Sequence, residues 1–109
     1  MHAVSPLEVY EAGELTVVGF GNYEGIERVN LAEWRDELLK LIRDHRCTTL
    51  ALDLTQVRLI PSGLLGVLCS IKRLGVDVLL YNPSVDVREA VEISNLTSLL
   101  EMHEVELAG

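Results

Sequence analysis

Residues 49–75 read TLALDLTQVRLIPSGLLGVLCSIKRLG, a strand, a turn and a helix with start and stop signals in order. Leu50, Ala51, Leu52 and Leu54 form a nearly unbroken apolar run, the pattern of a strand covered on both faces. Asp53, near its end, is the exception. After a short extended piece, Ser62 can accept a hydrogen bond from first-turn amides. Lys72 and Arg73 suit the negative end of the helix dipole, and Gly75 suits the left-handed position past a helix end. These signals predict a helix of about three turns over residues 62–74, capped by Ser62.

The sides of that helix differ. Leu64, Val67, Leu68, Ile71 and Leu74 follow the spacing of a core stripe, whereas Ser62, Gly63, Gly66, Cys69 and Ser70 form the side facing away. A solvated helix face ordinarily carries Glu and Lys, and two glycines inside a helix cost roughly 1 kcal/mol each relative to alanine. A smooth face of small residues is a candidate docking surface for another backbone. The alternative is that it packs within the same domain.

Working outward, residues 7–10 and 15–20 predict two short strands around Glu11-Ala12-Gly13-Glu14, which suits a hairpin turn. Gly19, Gly21, Asn22 and Gly25 predict a loop. An amphipathic helix follows: Asn30 with Glu33 forms a capping-box pair, and Leu31, Trp34, Leu38, Leu41 and Ile42 line one face. Beyond Gly75, residues 76–81 predict a strand, Ser84 caps a helix running to about residue 94, and residues 101–105 predict a last edge strand. Strands alternating with helices imply right-handed crossovers and an α/β fold, with a mixed, mostly parallel sheet of about 4–5 strands and an N-terminal β-hairpin.

A chain of 109 residues with 49% hydrophobic content is expected to be one domain, residues 1–109, with one core. The apolar runs fall short of a bilayer span, and the first residues lack the basic start and apolar run of a signal peptide, so membrane insertion is not expected and the expected location is the cytoplasm. Cys47 and Cys69 have no paired spacing and read as reduced thiols. A formal net charge of −8 argues against direct nucleic-acid binding, which needs clustered Lys and Arg. His2, His45 and His103 are scattered without metal-ligand spacing. Gly19 to Gly25 does not fit the dinucleotide fingerprint, and Ser62 lacks the flanking glycines and partners of a hydrolase elbow. Neither catalysis nor a cofactor is expected.

The ordered set of segments resembles the STAS domain, the fold of bacterial anti-sigma-factor antagonists. Asp53-Leu54 matches the family's strand end, and Ile60-Pro61-Ser62-Gly63-Leu64-Leu65-Gly66 falls without gaps on its helix start. The resemblance continues through the strand and Asn82-Pro83-Ser84 turn and through residues 87–100, VREAVEISNLTSLL. It departs at Pro61, where the family has an acidic residue, and at Gly63, where the family has the second of two serines.

The resemblance implies a non-enzymatic partner-switching protein in signal transduction and regulation of transcription. Its partner would be an anti-sigma factor or serine kinase-like protein, with homo-oligomers left open. The family's phosphorylated serine corresponds to Ser62. The partner-binding residues expected are Asp53, Pro61, Ser62, Gly63, Gly66, Cys69 and Ser70. With the acid missing before Ser62, a constitutive adaptor stands beside the switch: a stress-complex scaffold or a transporter accessory domain. A third reading is a small-ligand binder using the Gly19 to Gly25 loop.

Overall fold

The computed structural model describes residues 7–20 and 30–106. The elements run β1 (Glu8–Glu11), β2 (Leu15–Gly19), α1 (Leu31–His45), β3 (Thr49–Asp53), α2 (Ser62–Arg73), β4 (Asp77–Tyr81), α3 (Val85–Ile93) and β5 (Leu100–His103). The sheet has five strands in the order β1-β2-β3-β4-β5. The β1-β2 pair is antiparallel and the other pairs are parallel. This is the mixed α/β sheet with an N-terminal hairpin that the alternation of strand and helix signals predicts. Thr16 is buried in that hairpin, and its hydroxyl donates to the Gly13 carbonyl at 2.9 Å, bracing the turn.

The register sorts side chains by face. Thr16, Leu50, Val78 and Leu100 lie in one row, and Val18, Leu52, Leu80 and Met102 in another on the same side. Val18, Leu50, Leu52, Val78, Leu80 and Leu100 join a core cluster with Trp34 and Leu38 of α1, Leu64, Leu68 and Ile71 of α2, and Val87 and Val91 of α3. All three helices therefore cover one face of the sheet. Right-handed crossovers between consecutive neighbours require this arrangement, since every step moves in the same direction across the sheet. Ala51 lies in the alternate row and is also buried, although Thr49, Asp53 and Leu79 on that face are only half-buried, so the second face of β3 is less closed than its apolar run predicts.

Helix α1 forms where its pattern predicts, capped from the Asn30 side of the expected pair. The Asn30 side chain accepts from the amides of Ala32 at 3.0 Å and Glu33 at 3.2 Å, and the apolar face buries Trp34 and Leu38. Trp34 stacks on Phe20 with ring centroids 5.3 Å apart. Ser84 caps α3 by accepting from the Val87 amide at 3.1 Å. Gly75, with φ of +94°, takes the left-handed position after α2.

Three expectations are corrected. Pro61, not Ser62, is the N-cap of α2, and no side chain caps that helix. The proline ring holds φ at −64°, with ψ of 142°, an extended geometry suited to a cap position, so Ser62 becomes the first helical residue. Leu74 is 66% exposed rather than part of the core stripe, because α2 ends at Arg73 and the chain turns away. The last strand is Leu100–His103 rather than residues 101–105, because it pairs with β4 and ends opposite Tyr81.

Candidate partner-docking site

The chain leaves the C-terminal end of β3 at Asp53 and reaches Ser62 through a connection without helix or strand. Asp53 is half-buried, and its Oδ1 accepts from the Thr55 amide at 3.0 Å and from the Thr55 hydroxyl. A carboxylate that folds back on the second residue after it makes a compact turn, so Asp53 shapes the start of the connection. The Thr55 hydroxyl in turn accepts from Asn82 Nδ2 at 3.0 Å. At the far end the Leu64 amide donates to the Pro61 carbonyl at 3.0 Å, tightening the first turn of α2.

The small-residue face of α2 is narrower than its spacing predicts. Ser62, Gly63 and Gly66 are exposed, Pro61 and Ser70 are half-buried, and Cys69 is buried. The buried arc comprises Leu64, Leu65, Leu68, Cys69 and Ile71, all members of the core cluster, and is wider than a single stripe. Ser70 spends its hydroxyl on the Val67 carbonyl at 2.7 Å, leaving a smooth backbone-like surface there. A β-carbon on Gly66 would meet nothing within 4 Å, so that position opens to solvent. One on Gly63 would collide with Leu31 Cδ1 of α1. The glycine at 63 thus lies against the end of the Leu31 side chain of α1, while the glycine at 66 faces open space.

The hydroxyl of Ser62 caps nothing, and the first turn of α2 carries no acidic side chain. The amides there form the positive end of a helix without a side-chain acceptor, an environment that favours an added negative charge. Chemically the site offers an accessible hydroxyl, a bare turn of helix beside it, and a connection whose shape is held by Asp53.

The β4–α3 turn completes the site, a role that residue pattern alone did not suggest. Asn82 reaches Thr55, and Ser84 donates to the Arg58 carbonyl at 2.6 Å. The legible signal was the Asn82-Pro83-Ser84 sequence itself, two side chains able to bond backbone flanking a proline. Of the loop with Gly19, Gly21, Asn22 and Gly25, residues 21–29 lie outside the described residues, and so does the small-ligand reading built on them. Both cysteines are free and buried. Among the described residues no helix is long and apolar enough to cross a membrane.

A family model described as the STAS domain matches residues 25–107 of the chain. Among solved structures, the unphosphorylated form of the anti-sigma factor antagonist SpoIIAA superposes with a TM-score of 0.68 at 20% identity, covering 92% of this chain and 86% of that one. The NMR structure of the protein TM1081 superposes with a TM-score of 0.72 at 18% identity, covering 96% and 84% respectively. At these identities the likeness to the solved structures is one of fold. No curated protein sequence matches the chain.

Proposed function

We propose that this chain, which belongs to the STAS domain family, works as a single domain over residues 1–109 in a non-enzymatic partner switch of the anti-sigma-factor antagonist type. In this reading the unmodified protein docks the start of α2 and its neighbouring connection on an anti-sigma factor or serine kinase in the cytoplasm, and the sigma factor is released. Pro61, Ser62, Gly63, Gly66 and Ser70 supply the docking surface, with Asp53 shaping the connection that leads to it. Cys69 takes part only through the packing beneath that surface.

The observation that carries the reading is Ser62: exposed, at the first position of α2, and without a capping task. Phosphate there would be held by the helix terminus but would add up to about two negative charges where the partner must approach. Docking would then fail through repulsion and desolvation while the fold survived. A second reading, the constitutive adaptor, is favoured by Pro61 in place of the family's acid and by Gly63 in place of its second serine. Incubation with ATP and the cognate kinase, followed by mass spectrometry of the residue 62 peptide, separates the two. Phosphate on Ser62, with partner capture by wild type and none by Ser62→Glu, supports the switch. Capture by both proteins, with Ser62 unmodified, replaces it with the adaptor.

A further inference from the structure

We infer that the β4–α3 turn is a clamp that sets the position of the chain carrying Ser62. Two side chains of this turn reach out of their own segment. Asn82, at φ of 54°, uses its whole carboxamide: Nδ2 donates to the Thr55 hydroxyl at 3.0 Å and to the Val105 carbonyl at 2.8 Å, while Oδ1 accepts from the Val105 amide at 2.8 Å. Its backbone amide donates to the His103 carbonyl at 2.8 Å. Ser84 donates to the Arg58 carbonyl at 2.6 Å and accepts from the Val87 amide.

The β3–α2 connection is therefore held by one turn at two points, near its start at Thr55 through Asn82 and at its middle at Arg58 through Ser84. Between Arg58 and Ser62 the chain includes Leu59, 60% exposed, and Pro61, whose ring transmits the direction of the preceding backbone into the first turn of α2. Asn82 also fixes the chain leaving β5, so one turn ties the exit of the last strand to the connection that leads into α2. Asn82 and Ser84 are positioning residues: they do not form the docking surface but decide where it stands. Their bearing on docking rests on the function proposed above.

Ser84 allows the clamp to be separated from ordinary helix capping, since it donates in one bond and accepts in the other. Ser84→Asp keeps an acceptor for the Val87 amide but has no proton for the Arg58 carbonyl, whereas Ser84→Thr keeps both. Amide hydrogen exchange by NMR on the full chain reads the result without a partner. The reporters are the amides of Val57 and Leu64, each bonded within the connection or at its end. In Ser84→Asp they should exchange about fivefold faster, the factor for one lost hydrogen bond of ordinary strength. The amides of α3 and of Leu50 and Leu52 should keep their wild-type rates, and Ser84→Thr should match wild type throughout. In Ser84→Ala, which loses both bonds, exchange should rise in the connection and in the first turn of α3. Wild-type exchange at Val57 and Leu64 in Ser84→Asp would overturn the clamp, as would acceleration spread equally through β3. A wrong partner would leave these rates untouched, and a wrong clamp would show in them whatever the partner.

Discussion

At the level of single residues, the position of Pro61 changes what Ser62 can be. Serine ranks high among cap formers, and a reading by propensity assigns it that task. The structure gives the cap position to Pro61, which has no side-chain acceptor, and leaves the Ser62 hydroxyl outside the helix's own bonding. Ser62→Ala should therefore change stability by less than about 0.5 kcal/mol, the difference in helix propensity, rather than by the cost of a lost cap. The vacant capping role can be restored one residue earlier. Pro61→Asp and Pro61→Ala lose the ring alike, so the aspartate variant should exceed the alanine variant by about 0.5–2 kcal/mol in urea unfolding. Equal midpoints for that pair, or a large loss in Ser62→Ala, would return the cap to Ser62. The same substitution supplies the acid that the STAS family has before its serine, so structural and regulatory effects of Pro61→Asp can be measured in one protein.

At the level of elements, most of the fold was legible because its signals are local. The Asn30 cap and the Trp34 and Leu38 spacing define α1, and the run from Leu50 to Leu52 defines β3. Asp53, Ser62 and Gly66 also lie where the pattern places them, at a strand end, a helix start and an open helix face. What was not legible depends on partners distant in the chain. The last strand ends at His103 because β4 ends at Tyr81, and Cys69 is buried because it joins the core cluster shared with the sheet and the other helices. Asn82 meets Thr55 across 27 positions, a separation that no periodicity encodes. Gly66 and Gly63 look alike in sequence, yet only Gly66 has open space beyond it. Gly66→Arg should then fold with a gain of up to about 1 kcal/mol from helix propensity, while its bulk and charge abolish partner capture. A folded variant that captures partner as wild type does would remove the α2 face from the docking surface.

At the level of the whole molecule, a sheet whose parallel strands succeed one another in chain order must place all its crossover helices on one side, and the two faces of the sheet then carry unequal shares of the stability. Strand β4 offers neighbouring positions with identical chemistry for measuring that inequality. Leu80 is fully buried in the cluster beneath the helices, whereas Leu79 is half-buried and belongs to the opposite row. Truncating a leucine in a closed core removes its transfer free energy and leaves a cavity, together about 2–5 kcal/mol. At a half-exposed site less area is lost and solvent fills the gap, so the cost should stay under about 1.5 kcal/mol. Leu80→Ala should thus lower the urea midpoint far more than Leu79→Ala, with m-values unchanged so that the comparison reports stability alone. Equal losses at the two positions would mean that the face opposite the helices is closed as tightly as the helical face. The one-sided layering would then fail as the account of what holds the sheet. If Leu80 dominates, the C-terminal strand ends that carry Asp53 and the β4–α3 turn stand on a sheet secured from the helix side, so changes at the β3–α2 connection can occur without loosening the core beneath it.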